Sequence, residues 1–185
     1  MEIKGTPVVA MSAFLREKFG DKGSKRWLSA LSEEAAKVHG GSASVGSWYP
    51  LKRVMLTPLL TICVLFYEGK PRGAWECGRF TAERDLGGVL GMFGGSRSLE
   101  GLIQVGGTIL STFFRPSPKV TTEVAGKSGV LRVSDFSELD RQMEFYIGGW
   151  VERALEFIGC KDVKMEQTKS VTKSDPVTEY RASWQ

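Results

Sequence analysis

The stretch from Cys160 to Trp184 reads CKDVKMEQTKSVTKSDPVTEYRASW, and it decides the fold. Its Asp175-Pro176 step suits the first two positions of a tight turn, because proline presets the backbone dihedral that such a turn needs. On both sides of this step, apolar and polar side chains alternate with the period of two that is typical of half-buried strands. The stretch therefore predicts a β-hairpin near the end of the chain.

The same residues show a family resemblance. The segment from Ser170 to Trp184 resembles the closing signature of 4-vinyl-reductase-type domains, Cys-x3-Gly-Asp-x2-Cys-x-Tyr, and those domains are similar in fold to haem-NO-binding sensor domains and TRAPP trafficking subunits. Ser170 and Thr178 stand at the two cysteine positions, and Ser174 replaces the glycine. The cysteines help to bind a structural zinc in some relatives, and a hydroxyl is a poor substitute for a thiolate. The resemblance implies the hairpin, and we expect it here without the metal.

Two further segments match the same superfamily more weakly. The stretch from Met1 to Gly20, MEIKGTPVVAMSAFLREKFG, resembles the start of haem-NO-binding-like chains, which tend to begin with a Lys-Gly step and a helix that ends in Phe-Gly. The step Trp48-Tyr49-Pro50-Leu51 resembles one that is frequent in the myxobacterial-type subgroup. The matches together imply a single domain of this kind over residues 1–185.

Composition limits the classes of function. With 185 residues, of which 42% are hydrophobic, the chain can bury one substantial core. The net charge is +4 and the pI is about 9.0, but the basic residues form no block or stripe, so we expect no nucleic-acid partner. The three cysteines are odd in number and widely spaced, which together with the absence of a cleavable N-terminal signal suggests the cytoplasm. The apolar window Val54 to Tyr67 is too short to cross a membrane.

Periodicity predicts the remaining elements. Apolar side chains recur at helical spacing in six segments, over residues 1–20, 24–39, 54–67, 74–86, 98–114 and 137–158, where Ser137 is the expected N-cap of the last helix. A second hairpin is predicted from Val120 to Ser134. The expected fold class is therefore α+β, with N-terminal and central helices packed on a four-stranded antiparallel sheet that ends in the C-terminal β-hairpin. The glycine-rich segment Gly87 to Ser98 suggests either a mobile flap or a poorly packed connection.

Few residues offer catalytic chemistry. His39 is the only histidine, and its place beside Gly40-Gly41 suggests a residue that caps a helix end, where a cation is favoured, and not a haem ligand. Without a usable histidine, a Ser/His/Asp or Cys/His nucleophile is unavailable. Cys77 is flanked by Glu76 and Arg79, which could tune a thiolate, although a small buried cysteine is the commoner case. We therefore expect no enzyme.

The chain has many aromatic and apolar residues and few polar residues that could do chemistry, a composition that permits a ligand pocket. For any single aromatic residue, however, a place in the ordinary core is the commoner case. The resemblance would place several of the aromatic residues around a cavity between the helices and the sheet. The expected ligand-binding residues are Trp75, Phe80, Phe93, Phe113, Phe114, Tyr146 and Trp150. The resulting hypothesis is a non-catalytic cytoplasmic sensor or carrier that binds a small hydrophobic or aromatic ligand without zinc, haem or another cofactor, and that signals to a separate partner.

An interaction module is the alternative hypothesis. In this case the chain would be a homodimeric, TRAPP-like scaffold with a vestigial pocket. Gly148-Gly149 on the last predicted helix would let a helix of another molecule approach closely. The sequence leaves both hypotheses open.

Overall fold

The computed structural model describes the backbone of residues 1–92 and 112–185, and the side chains of residues 1–86 and 112–185. Its helices and strands, in chain order, are β1 (Glu2–Lys4), α1 (Gly5–Leu28), α2 (Glu33–Lys37), β2 (Trp48–Pro50), α3 (Thr57–Phe66), α4 (Arg72–Met92), β3 (Phe114–Arg115), β4 (Lys119–Ala125), β5 (Ser128–Ser134), α5 (Arg141–Phe157), β6 (Lys164–Lys169) and β7 (Thr178–Ser183). Of the expected helix over 98–114, only residues 112–114 are described. Of the glycine-rich segment Gly87 to Ser98, the backbone of residues 87–92 is described and continues α4, while residues 93–98 lie outside the described residues.

The strands form two antiparallel sheets. One has the order β4-β5-β7-β6 and the other has the order β2-β1-β3. The predicted α+β class and four-stranded antiparallel sheet are therefore confirmed, and β6 and β7 are the predicted C-terminal hairpin. Their connection contains a 3-10 turn over Val171–Lys173 and a left-handed residue, Ser174, before the Asp175-Pro176 step.

The three-stranded sheet was not predicted, because its strands have only two or three residues and cannot show a period. Trp48–Pro50, the step that resembles the myxobacterial-type subgroup, forms β2, with Ile3 of β1 opposite Tyr49. A π-helical turn over Lys52–Leu56 then leads into α3, where Pro58 occupies the first turn, in which a proline costs no hydrogen bond.

Several predicted helix boundaries are wrong. The helix expected over 24–39 does not form as one element, because residues 24–28 belong to α1 and α2 covers only Glu33–Lys37, before a π-helical turn over Val38–Ser42. The helix expected over 74–86 is longer and runs from Arg72 to Met92. Gly20 does not end the first helix: it adopts a φ of +65°, and the helix resumes after this kink and runs to Leu28. The N-cap of α5 is Asp140 and not Ser137, since the Asp140 carboxylate accepts a hydrogen bond of 2.8 Å from the backbone N–H of Met143.

Helices α4 and α5 pack with their backbones nearly in contact. A Cβ atom added to Gly149 would lie 2.1 Å from the carbonyl oxygen of Trp75, and one added to Gly78 would lie 2.0 Å from the carbonyl oxygen of Tyr146. The Trp75 ring covers Gly148. The helix that approaches Gly148-Gly149 thus belongs to the same chain, so these glycines do not provide the dimer surface that the scaffold hypothesis expected.

One connected apolar core joins the two halves of the chain. It includes Ile3 and Phe14 from the N-terminal half, and Leu131 and Tyr180 from the four-stranded sheet. A smaller cluster lies beside it around Trp150 and Leu86. None of the described helices has the length and apolar character of a membrane span.

Candidate functional site

Four polar or partly polar side chains meet in the interface between α4 and α5. Thr81 and Asp85 lie one turn apart on α4, and Tyr146 and Trp150 lie one turn apart on α5. All four are buried, with exposed fractions between 0% and 7%. We call these four residues the α4–α5 polar cluster.

Within the described part of the chain, three atoms of this cluster are buried without a hydrogen-bond partner. They are Oδ2 of Asp85, the hydroxyl of Tyr146 and Nε1 of Trp150. The Thr81 hydroxyl, in contrast, donates to the Cys77 carbonyl over 2.9 Å. A buried polar group that lacks a partner costs about 1–3 kcal/mol. Three such atoms in one interface make it a candidate site for a polar molecule, either ordered water or a ligand.

The charges of the cluster follow from its burial. Burial raises the pKa of Asp85 to about 6, while the Trp150 N–H, which faces the carboxyl group without completing a hydrogen bond, lowers it. Burial also raises the pKa of Tyr146 well above its ordinary value, so its hydroxyl stays neutral. Near neutral pH the cluster thus presents one mostly ionised acceptor and two neutral N–H or O–H donors.

The close approach of the two helices places the cluster between apolar walls. Gly78 and Gly149 allow the two backbones to meet at the level of Tyr146 and Trp75. Tyr146 belongs to the main core and Trp150 to the smaller apolar cluster, and Phe113 packs against both. The unpaired atoms therefore lie where the two apolar clusters adjoin.

The seven predicted ligand-binding residues do not lie together. Tyr146 and Trp150 belong to the α4–α5 polar cluster, Phe113 packs close to it, and Phe93 lies outside the described residues. The indole N–H of Trp75 donates to Glu152 over 2.9 Å, on the side of α5 that holds Gly148.

The other two predicted residues lie apart from the cluster. Phe80 lines an open surface cleft of about 460 Å³ together with Phe14, and the guanidinium of Arg84 covers its ring at 5.0 Å. Phe114 is a residue of β3, and its ring packs against Phe136 at 4.7 Å. The predicted aromatic residues therefore do not surround one common cavity in the described part of the chain.

Sequence reasoning missed Thr81 and Asp85, because polar residues on an amphipathic helix are usually solvated. A signal was nevertheless present. Asp85 falls next to Leu86 and three residues after Ala82, on the stripe that is buried against α5. A charged residue on a buried stripe is rare unless it is paired, and this rarity could have marked it.

A second buried polar group links α5 to the C-terminal hairpin. The Glu144 carboxylate accepts hydrogen bonds from the hydroxyls of Ser170 (2.8 Å), Thr172 (2.9 Å) and Thr178 (2.5 Å). The Tyr180 hydroxyl donates to the Glu144 carbonyl over 2.6 Å. Ser170 and Thr178, which occupy the two cysteine positions of the resemblance, are thus donors to a carboxylate. The described residues contain no metal-binding group of three or more His, Cys, Asp or Glu side chains.

His39 has a structural role. Nε2 lies 2.9 Å from the Val54 carbonyl oxygen, which can only accept, so Nε2 carries the proton and Nδ1 accepts from the Ser12 hydroxyl at 2.8 Å. Burial lowers the pKa of His39 to about 4. The expected cationic cap is therefore wrong. Because both ring nitrogens are engaged, His39 as placed does not fit as an axial ligand of a haem iron, which requires a free nitrogen.

No protein-family model and no curated protein sequence matches the chain. Solved structures do match it. An H-NOX protein from S. oneidensis in the Fe(II) ligation state aligns with a TM-score of 0.77 at 9% identity, over 99% of this chain and 96% of that chain. The Fe(II)NO state from the same organism gives 0.74 at 13% identity, over 99% of each chain. An Fe(II) unliganded H-NOX protein from K. algicida gives 0.71 at 11% identity, over 99% of this chain and 97% of that chain.

These neighbours correct one expectation. Other matching structures concern haem distortion in the H-NOX family and an Fe(II)CO state. The hypothesis of a sensor domain that works without haem is contradicted, because the structures that match this chain belong to a haem-binding family. The sequence reasoning relied on the absence of a suitable histidine, and that absence does not exclude the fold. At this level of identity the likeness concerns the fold alone, and it confirms the haem-NO-binding-like resemblance as a fold over nearly the whole chain. It does not test the 4-vinyl-reductase-type signature. The chain has the fold of the H-NOX proteins.

Proposed function

We propose that this chain is a non-catalytic sensor domain that binds a small polar molecule at the α4–α5 polar cluster. The observation that carries the proposal is the group of three buried, unpaired polar atoms on Asp85, Tyr146 and Trp150. A ligand that accepts from the tyrosine and tryptophan and donates to the carboxylate would satisfy all three.

The ligand is proposed to be small. The backbones of α4 and α5 approach too closely at Gly78 and Gly149 to leave room for a ring between them there. Two H-NOX neighbours are in Fe(II)NO and Fe(II)CO ligation states, so they support the size class alone, because NO and CO have no hydrogen to donate to the Asp85 carboxylate. The proposal assigns no step to haem, because His39 does not fit as its ligand.

The proposed output runs through α5. This helix carries Tyr146 and Trp150, and two residues before Tyr146 it carries Glu144, which is bonded to three hydroxyls of the β6–β7 hairpin and its connection. A shift of α5 on ligand binding would therefore change the contacts of the hairpin. A separate signalling partner could recognise that change.

Two residues support the absence of catalysis. Burial raises the pKa of the Cys77 thiol far above its ordinary value, so its nucleophilic thiolate is not formed near neutral pH. His39 is neutral, and both of its nitrogens are bonded. The proposed location is the cytoplasm, on cysteine usage alone.

The test is to look for a bound molecule and to measure how binding depends on the cluster. Native mass spectrometry and absorption spectra of the purified protein report any co-purified ligand, including haem. Thermal shifts are then measured with formamide, which both donates and accepts hydrogen bonds, and with NO and CO, each with and without added haemin. We expect a bound mass or a thermal shift that Asp85→Asn and Tyr146→Phe reduce.

Tyr67→Phe is the matched control. The Tyr67 hydroxyl is also buried without a partner, but it lies after α3 and outside the cluster, so its loss should leave binding unchanged. Wild-type protein with no co-purified molecule and no shift with any probe would contradict the proposal. Equal binding by wild type and Tyr146→Phe would contradict the assignment of the site.

A further inference from the structure

The strand β4 is an open edge of the four-stranded sheet. It pairs with β5 on one side, and no described strand pairs with its other side. Its side chains at Lys119, Thr121 and the segment Glu123 to Ala125 are exposed. An edge strand presents unpaired N–H and C=O groups, which form a template for another strand.

The two edges of this sheet differ. At the β6 edge the pairing with β7 shifts register between Gln167 and Lys169, and bulges of this kind hinder pairing with a further strand. The β4–β5 ladder, in contrast, runs through seven residue pairs without a shift. The β4 edge is therefore regular along its length, and no other described strand covers it.

The hairpin turn determines which groups of β4 point outwards. Ala125 and Ser128 are paired across a two-residue turn in which Gly126 has a φ of +58°, so these two residues exchange both of their backbone hydrogen bonds. Because the direction alternates along a strand, the N–H and C=O groups of Val120, Thr122 and Val124 point away from β5. These groups are available to a second strand.

We propose that two copies of this chain associate through antiparallel pairing of their β4 strands, centred on Thr121. In this register Val120 of one copy exchanges hydrogen bonds with Thr122 of the other, and the two sheets become one sheet of eight strands. The proposal concerns a surface separate from the α4–α5 polar cluster and does not depend on the proposed function.

Charge selects this register. Lys119 of each copy lies opposite Glu123 of the other, so two opposite-charge pairs form across the two-fold axis. A shift by two residues in either direction would place Lys119 opposite Thr121 or Ala125 and would lose both pairs. Within the described residues Lys119 has no ion-pair partner, and Glu123 is bonded to Arg132 of its own chain at 2.6 Å through Oε1 alone.

Analytical ultracentrifugation of the full chain, from about 1 µM to about 1 mM, tests the proposal. We expect wild type to become dimeric within this range. Lys119→Glu makes both positions acidic and Glu123→Lys makes both basic, so each variant alone should stay monomeric. An equimolar mixture of the two should form a heterodimer, because every cross-strand pair is then complementary. Circular dichroism checks that each variant is folded.

Lys164→Glu on β6 is the matched control, since it makes the same charge change on the opposite edge and should dimerise like wild type. Wild type that stays monomeric at about 1 mM overturns the proposal. A monomeric mixture alongside a dimeric wild type overturns the β4 register. Equal dissociation of Lys164→Glu and Lys119→Glu would show that net charge, and not this edge, controls association.

Discussion

At the scale of single residues, Asp85 is a carboxyl group whose ionisation opposes folding. Burial raises its pKa from 3.8 to about 6, so the folded state holds the proton more tightly than the unfolded state does. The Asp85 contribution to the free energy of unfolding therefore falls as pH rises from about 4 to about 6. Relative to wild type, we expect the free energy of unfolding of Asp85→Asn to increase by up to about 3 kcal/mol as the pH rises from 4 to 7. Urea denaturation at several pH values measures this gain.

The comparison between variants is needed because His39 acts in the opposite direction. Burial lowers its pKa to about 4, so stability is lost as pH falls from 6.5 towards 4. This loss is common to wild type and Asp85→Asn and cancels in their difference. Asp21→Asn on the exposed side of α1 is the control, and it should show no gain of this size. A difference between Asp85→Asn and wild type that is constant with pH would show that Asp85 is not destabilised by burial.

Glu144 is the residue on which the C-terminal hairpin depends. Its carboxylate is the common acceptor of three hydroxyls, so Glu144→Ala leaves Ser170, Thr172 and Thr178 without it. We expect urea denaturation to show that Glu144→Ala lowers the free energy of unfolding by about 3 kcal/mol. The control Ser170→Ala, which removes a single donor, should lower it by about 1 kcal/mol.

Because these groups are bonded to each other, EDTA should leave the melting temperature of wild type unchanged. A drop in the melting temperature with EDTA would indicate a metal at the hairpin. If Glu144→Ala were no less stable than Ser170→Ala, the three hydroxyls would have other acceptors.

At the scale of elements, the crossing of α4 and α5 depends on glycine. The Cβ atom of Gly149→Ala would lie 2.1 Å from a backbone carbonyl of α4, which cannot move aside as a side chain can. We expect the free energy of unfolding to fall by about 3 kcal/mol and the melting temperature to drop clearly, because the two helices must move apart. Gly40→Ala is the control, since nothing lies within 4 Å of its added Cβ. Equal melting temperatures for the two variants would show that the contact is looser than described.

Elements with a long and regular pattern could be predicted from the sequence. The hairpin of β6 and β7 and the helix α5 have such patterns, and both are present. The three-residue strands β1 and β2 could not be found, because only their pairing partners, far apart in sequence, define them. The kink at Gly20 was not predicted for a related reason. A glycine in the left-handed conformation can end a helix or connect two helical segments, and the local sequence does not distinguish these outcomes.

The candidate site was predictable only in part. Tyr146 and Trp150 were expected to face inwards from the stripe of α5 and both are buried, while their part in ligand binding stays a prediction. Asp85 was missed, because its burial depends on the approach of α5 to α4. That approach is set by Gly78 and Gly149, and the sequence shows these glycines without showing which helix contacts them.

At the scale of the whole molecule, we propose that residues 1–185 fold as one domain. One core contains Ile3 and Phe14 as well as Leu131 and Tyr180, so neither half buries its apolar surface alone. The last strand in sequence, β7, lies inside the sheet between β5 and β6. Removal of the C-terminal hairpin should therefore unfold the N-terminal helices, although they are distant in sequence.

A chain cut after Cys160 tests this proposal. It lacks β6 and β7, which leaves β5 without a neighbour on that side and exposes the buried faces of Leu131 and α5. The Trp27 indole N–H, which donates to the Pro58 carbonyl over 3.1 Å, is a reporter in the N-terminal half. We expect its NMR cross-peak to move to the unfolded position, whereas a chain cut after Ser183 should keep it. Two domains would be indicated if the shorter chain retained the native Trp27 signal, because the N-terminal helices would then fold without the sheet.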